Sequence, residues 1–220
     1  MKKWSVLISL LFVLIIATGC SSPFSDDRGI PEKVEITSTD IPKEPSKAEI
    51  IDKIQNNSSN DIDDIIDANF SLMDVVSVEG DKSEIYATQQ FGLKELSSVL
   101  SAAVKPEKIS EVKDNQQILI YPNHFVTLKV SPEDKDVILI EVASDEFVRR
   151  NYAPSFLGTY FAIRLLDDVL DVDDWGKRRS RVCKSSGNCY GGYTGRGYFP
   201  NGTPNRGDSS YRGGGPGSGK

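Results

Sequence analysis

Three short apolar segments between Gln116 and Val142 constrain the fold more strongly than any other part of the sequence. They occupy residues 117–121, 124–130 and 136–142, and turn residues such as Pro122-Asn123 and Pro132 separate them. This pattern predicts a three-stranded antiparallel meander. In the middle segment apolar residues alternate with Thr127 and Lys129. We therefore expect one face of the sheet to be exposed to water.

Segments on both sides of the meander predict further elements. Ser46 and Glu49 have the spacing of a helix capping box. Apolar spacing predicts helices after Ser46, around Ile62, from Leu93 to Ala103 and from Pro154 to Leu170, and a hairpin turning at Gly80-Asp81. Together they predict an α+β domain over residues 46–175. Its small antiparallel sheet of four or five strands is backed by amphipathic helices.

The charges are distributed unevenly along the chain. Residues 20–175 contain 15 basic and 31 acidic side chains, whereas residues 176–220 contain 9 basic side chains and the single acid Asp208. Residues 20–45 are rich in Ser, Pro and charge, which predicts a disordered tether. Residues 176–220 are rich in Gly, Arg and Tyr, which predicts a basic disordered tail. Deleting such a tail should leave the melting of the domain nearly unchanged.

The first nineteen residues have the three parts of an export signal. Lys2 and Lys3 precede an apolar run over residues 6–17, and the small residues Thr18-Gly19 precede Cys20. As a helix this run would rise about 18 Å, which is short for a hydrocarbon core of about 30 Å. Residues 1–19 are therefore expected to be a signal peptide. The alternatives are an ordinary secretory signal and an anchor that stays uncut.

Residues Ala17-Thr18-Gly19-Cys20 resemble the lipobox of bacterial lipoproteins, with Ala17 in place of the usual leucine. The resemblance implies that a diacylglyceryl group is attached to the Cys20 thiol and that a peptidase then frees the Cys20 amine. Two acyl chains anchor a protein stably, because each buried methylene contributes about 0.8 kcal/mol. The expected location is the extracytoplasmic face of the cell membrane.

Few residues predict catalysis or metal binding. His124 is the only histidine, and no G-x-S-x-G segment is present to expose a nucleophile, so we interpret His124 as a partly exposed turn residue. The acidic run from Asp167 to Asp174 could bind calcium, but it fails the EF-hand pattern. The nearby basic run from Lys177 to Arg181 could instead neutralise these carboxylates. We therefore expect no catalytic site, metal site or cofactor.

Cys183 and Cys189 are the other two thiols of the chain. Outside the membrane such a pair favours a disulfide, and Gly187 makes the small ring sterically easy. Two free thiols are the alternative. The segment after the pair, with Arg196 among Gly and Tyr residues, is similar to segments that bind single-stranded nucleic acid. Export excludes that partner, and the same chemistry points to anionic wall polymer, anionic lipid or an envelope protein.

The whole layout resembles a family of uncharacterised surface lipoproteins from spore-forming Gram-positive bacteria. The shared features are the lipobox, a charged tether, a small α+β domain and a Gly-rich tail with a cysteine pair. The resemblance implies a class and no activity. We expect a non-enzymatic lipoprotein that binds or scaffolds at the cell envelope. The alternatives are an accessory subunit of a membrane complex and, third, an envelope hydrolase with scattered carboxylates.

Overall fold

The computed structural model describes residues 36–78, 80–187 and 189–193. The chain divides into two units, Met1–Lys33 and Val34–Lys220, and all of the described residues lie in the second. They form a six-stranded antiparallel sheet and seven helices. The α+β class is therefore confirmed, although the sheet has more strands than the four or five expected. No helix within the described ranges is long and apolar enough to cross a membrane.

The sheet has the spatial order β1-β2-β6-β5-β4-β3. In chain order the strands are β1 (Ser71–Val78), β2 (Asp81–Thr88), β3 (Lys108–Ile109), β4 (Gln116–Ile120), β5 (His124–Val130) and β6 (Ile138–Ser144). The predicted hairpin forms β1 and β2, and the predicted meander forms β4, β5 and β6. The additional strand β3 pairs with β4 at the sheet edge. Two residues are too few to produce a periodic sequence pattern.

The helices lie on both sides of this sheet. They are α1 (Lys47–Gln55), α2 (Ile62–Asn69), α3 (Leu93–Ala103), α4 (Asp145–Asn151), α5 (Pro154–Leu157), α6 (Ile163–Val169) and α7 (Trp175–Ser186). The predicted capping box is present at the start of α1, where Ser46 and Glu49 cap one another reciprocally. Helix α4 was not expected from the sequence. It begins after Ser144, whose hydroxyl accepts a hydrogen bond from the backbone N–H of Phe147.

Both faces of the sheet are buried, so the expectation of one wet face is wrong. Helices α1 to α3 cover one face, where Val126 and Leu128 lie among their isoleucines and leucines. Residues from α4 to Tyr190 cover the other face, together with Ile36 and Ile41. Thr127, which alternates with the apolar residues of β5, is only 4% exposed. Thr127 therefore faces a second core.

The single helix expected from Pro154 to Leu170 is wrong, because the chain breaks it into α5 and α6. Helix α5 ends at Gly158, whose N–H donates to the Pro154 carbonyl at 2.8 Å. The chain then turns through residues 158–162, which places Phe161 in the core, and α6 begins at Ile163. Glycine is a poor helix former, which explains why the break begins there.

The domain begins earlier than the expected boundary at residue 46. Ile36 and Ile41 are buried, and the carbonyl of Ile36 accepts a hydrogen bond from the Ser131 hydroxyl at 3.0 Å. The expected tether, residues 20–45, was therefore placed too far along the chain, because these two isolated isoleucines form no periodic pattern. Residues 20–35 lie outside the described residues.

Candidate functional site

Helix α7 is fixed to the end of α4 by two long side chains. The indole Nε1 of Trp175 donates to the carbonyl of Arg149 at 3.0 Å. The guanidinium of Arg179 donates to the carbonyls of Asn151 and Tyr152 at 2.9 and 3.1 Å. These are the terminal carbonyls that a helix leaves without partners within itself. A cation at this position also interacts favourably with the negative end of the helix dipole.

The segment after α7 returns to the same place. Gly187 has a φ of 67°, which lets it end α7 in the left-handed conformation that glycine adopts without strain. Cys183 and Cys189 are joined by a disulfide, with their Cα atoms 5.4 Å apart. Tyr190 then forms an isolated β-bridge with Tyr152. The N–H of Tyr190 donates to the carbonyl of Asn151, and its carbonyl accepts from the N–H of Ala153, both at 2.8 Å.

A buried carboxylate on β6 anchors this segment to the sheet. The Oε1 atom of Glu141 accepts hydrogen bonds from the hydroxyls of Ser83 and Tyr152 at 3.0 and 2.9 Å. Its Oε2 atom accepts from the backbone N–H of Tyr193 at 3.1 Å. The buried side chain of Tyr190 also interacts with this carboxylate and lowers its pKa. Glu141 thus connects strands β2 and β6, helix α4 and the C-terminal segment. We call Glu141, Ser83, Tyr152, Tyr190 and Tyr193 the Glu141 cluster.

Burial governs the ionisation of this cluster. Removal from water raises the pKa of Glu141, and the interaction with Tyr190 and the hydrogen bonds from Tyr193, Tyr152 and Ser83 oppose that rise. Burial, with the neighbouring carboxylate second, raises the pKa of both Tyr152 and Tyr190 well above 10. The two tyrosine hydroxyls therefore remain protonated and can donate. Because the carboxyl group of Glu141 lies within the core, we assign it a positioning role.

A groove of about 770 Å³, open to solvent, lies on the outer side of α7. Residues at the start of α5, in the turn after it and at the start of α6 form one wall, and α7 forms the other. The lining residues are Pro154, Ser155, Gly158, Thr159, Ile163, Gly176, Lys177, Ser180, Arg181 and Lys184. We call this feature the α7 groove. The bonds of Trp175 and Arg179 on the opposite side of α7 hold the groove wall in place.

Two glycines set how closely the walls approach. A Cβ atom on Gly176 would lie 2.5 Å from Cγ2 of Ile163, and one on Gly158 would lie 2.8 Å from the carbonyl oxygen of Pro154. Both distances are shorter than ordinary van der Waals contact. Helices α6 and α7 can therefore meet at this point only because Gly176 lacks a side chain.

The α7 groove carries positive charge. Lys177, Arg181 and Lys184 line it and are exposed. Lys177 pairs with Asp174, with Nζ and Oδ1 separated by 2.8 Å. Among the described residues, Arg181 and Lys184 form no ion pair. Two of the three cations are thus available to a ligand.

The sequence matches one known protein family over most of its length. The family described as "Domain of unknown function (DUF4247)" matches residues 50–218. The chain belongs to this family. No curated protein and no solved structure matches it. The residues matched include the sheet, α7, the cysteine pair and most of the Gly-rich tail.

The sequence prediction ended the α+β domain at residue 175, before helix α7 and the segment that follows it. Residues 176–193 were expected to be part of a disordered tail, but 176–186 lie in helix α7 and Tyr190 is only 3% exposed. The order of this segment depends on Trp175, Arg179 and the aromatic residues that it contacts, and a composition rich in Gly and Arg does not reveal those contacts. Residues 194–220 of the expected tail lie outside the described residues.

The acidic run and the basic run interact, as the sequence suggested they could. Besides the ion pair between Lys177 and Asp174, the carboxylate of Asp167 accepts from the N–H of Gly176 at 3.2 Å, and Arg178 donates to the carbonyl of Asp173. Within the described ranges, no three His, Cys, Asp or Glu side chains are grouped so that they could hold a metal ion. The run therefore helps to hold the start of α7.

The other predicted residues lie apart from the groove. His124 begins β5, is partly buried, and has its Nδ1 atom 3.2 Å from Oδ1 of Asp61. It alternates with Phe125 and so faces the side of the sheet opposite to Glu141. Cys20, the predicted lipidation residue, lies outside the described residues. The structure thus brings together the cysteine pair and the basic run near the groove, and His124 takes no part in it.

Sequence reasoning missed the Glu141 cluster. One signal was available, since Glu141 is an acid within the apolar segment Ile138–Ser144, next to Ile140 and Val142. An acid within a strand that is apolar on both sides must be paired or protonated once that strand is buried. Its partners, Tyr152, Tyr190 and Tyr193, are 11 to 52 residues away along the chain. No local pattern predicts such contacts.

Proposed function

We propose that this protein is a bacterial surface lipoprotein, anchored by lipid on Cys20, whose domain binds a component of the cell envelope without catalysing a reaction. The observation that carries the proposal is the order of the N-terminal residues. A basic tip, an apolar run of signal-peptide length, Gly19 and Cys20 follow one another in register. A cysteine placed directly after such a signal is rarely accidental. Export of the chain then exposes its folded domain to the envelope.

Two features of the domain support binding rather than catalysis. The α7 groove is concave and basic, and two of its cations have no partner among the described residues, as a site for an anionic ligand requires. The most strongly enclosed carboxyl group, on Glu141, is engaged by tyrosine, serine and backbone donors within the core. A catalytic acid must instead lie within hydrogen-bonding reach of a substrate.

Metabolic labelling of cells with an alkyne fatty acid tests the anchor. Wild-type protein should take up the label, and the Cys20→Ser variant should not. The matched control replaces the other two cysteines, Cys183 and Cys189, with serine, and it should keep the label. Equal labelling of wild type and Cys20→Ser, or loss of label in the control, would contradict the proposal.

An accessory subunit of a membrane complex is the second candidate function. The observation that favours it is an apolar site at the edge of the sheet, where Ile109 on β3 is 48% exposed and Val112 is 39% exposed. Edge strands with exposed apolar residues can pair with another chain. A photoreactive amino acid at position 112 should then crosslink to one integral membrane protein in intact cells. Lack of a discrete crosslinked product would contradict this candidate.

A further inference from the structure

The cations of the α7 groove form a row along one side of the helix. Lys177, Arg181 and Lys184 are separated by four and three residues, so they lie on the same face of α7. At 1.5 Å per residue the row extends over about 10 Å. Of the ten residues that line the groove, none is acidic. Because Lys177 is paired with Asp174, the positive charge available to a ligand lies on Arg181 and Lys184.

Hydroxyl groups accompany the row of cations. Ser180 lies between Lys177 and Arg181 on α7, and Ser155 lines the facing wall. The hydroxyl of Thr159, also on that wall, already donates to the carbonyl of Ser155 at 3.1 Å. A hydroxyl can donate one hydrogen bond, and an arginine can contact a phosphate with two parallel N–H bonds. The groove thus offers charge and hydrogen-bond donors together, which is the combination that phosphate oxygens require.

We propose that the α7 groove binds a segment of an anionic phosphodiester polymer of the envelope. This inference rests on the proposed function, because only an exported domain would meet such a polymer. A row of cations in an open groove fits a chain with repeated negative charges better than a single small anion. A concave surface also follows a chain, whereas the headgroups of a bilayer form a flat surface. The polymer is therefore the occupant that the geometry favours over lipid.

The probe for this inference is a fluorescent glycerol-phosphate oligomer, and the binding partner is the full-length chain in a nonionic detergent. Fluorescence anisotropy should show binding that weakens steeply as salt increases. The test variant is Arg181→Gln with Lys184→Gln, which removes the two cations without an ion pair. Its affinity at low salt should be about tenfold weaker than that of the wild type.

The matched control is Lys94→Gln with Lys105→Gln, which removes the same charge from exposed positions away from the groove. The control should bind the oligomer like the wild type. Both double variants should keep the wild-type melting temperature, because none of the four side chains is buried. Basic residues after position 193 are unchanged in both variants and so contribute equally to each.

Three outcomes would overturn the inference. Equal affinity of wild type and groove variant would show that the oligomer binds elsewhere. An equal loss in the control would show that net charge alone attracts the oligomer. Displacement of the oligomer by phosphatidylglycerol in mixed micelles, with displacement abolished in the groove variant, would make a lipid headgroup the occupant. Lipid labelling at Cys20 is measured separately. A groove that does not bind the polymer can therefore be distinguished from a chain that carries no lipid on Cys20.

Discussion

Replacing Tyr190 with alanine tests whether the segment after α7 is part of the folded domain. Tyr190 is 3% exposed, and its ring centroid lies 5.1 Å from that of Tyr152 and 5.5 Å from that of Phe147, both in edge-to-face geometry. Its side chain also interacts with the buried carboxyl group of Glu141. The substitution would therefore leave a cavity in the core and remove an aromatic ring that packs against Tyr152 and Phe147.

The expected loss of stability follows from these contacts. Removing a buried aromatic side chain costs about 3–5 kcal/mol. For a domain of this size each kcal/mol lowers the melting temperature by about 2–4 °C, so the Tyr190→Ala variant should melt about 6–20 °C below the wild type. Thermal unfolding of protein lacking residues 1–20, followed by circular dichroism, measures the change. Val182→Ala is the control, because Val182 lies on α7 and is 45% exposed.

The outcome separates two descriptions of the C-terminal region. If Tyr190→Ala melts at the wild-type temperature, the chain after α7 does not pack on the sheet, and the original expectation of a loose tail is right. If both Tyr190→Ala and Val182→Ala melt early, the effect is not specific to the Glu141 cluster. Only a large effect at Tyr190 with none at Val182 agrees with the structure.

Three further predictions concern the same region. The raised pKa of Glu141 means that the folded protein retains a proton that the unfolded chain loses above about pH 4.5, so stability should fall as pH rises past that value until the folded-state pKa is passed. Glu141→Gln should abolish this pH-dependent loss of stability. Chemical denaturation of both proteins between pH 5 and 8 measures it. The prediction is contradicted if the wild type gains stability relative to the variant as pH rises. Gly192→Ala should lower the stability of the domain, because Gly192 has a φ of 84° and a Cβ atom there would lie 2.9 Å from the ring of Phe156. An unchanged denaturation midpoint would argue against the packing of Gly192 on Phe156. Cys183 and Cys189 should resist alkylation until a reductant is added to protein taken from the cell surface, whereas full alkylation without reductant would show two free thiols.

Local sequence patterns were sufficient for the elements that local contacts determine. The capping box of Ser46 and Glu49 correctly placed the start of α1, because both partners lie within one helical turn. The meander was predictable because each of its strands pairs with the next along the chain, from β4 to β5 to β6. The α+β class follows from these elements, since a sheet and amphipathic helices must bury their apolar faces against one another.

The second face of the sheet and the end of the domain were not predictable, because both depend on contacts distant in sequence. Thr127 and Lys129 have the alternation of a wet face, yet Thr127 is buried beneath the segment from α4 to Tyr190 and Lys129 is only partly exposed. The α7 groove depends on the close approach of Gly176 to Ile163, which brings its two walls together. The sequence shows the basic residues of α7 as a charged run. Their arrangement along a groove could not be predicted, because no helix was expected in that segment.

The intact mass of the mature protein, extracted from membranes, tests the central claim most directly. Our account predicts a chain that begins at Cys20 and carries a diacylglyceryl group with two acyl chains on its thiol. A chain that retains residues 1–19 without lipid would show an uncut anchor. A chain without lipid that begins after Cys20 would show an ordinary secreted protein. Either of these masses would contradict the assignment as a surface lipoprotein.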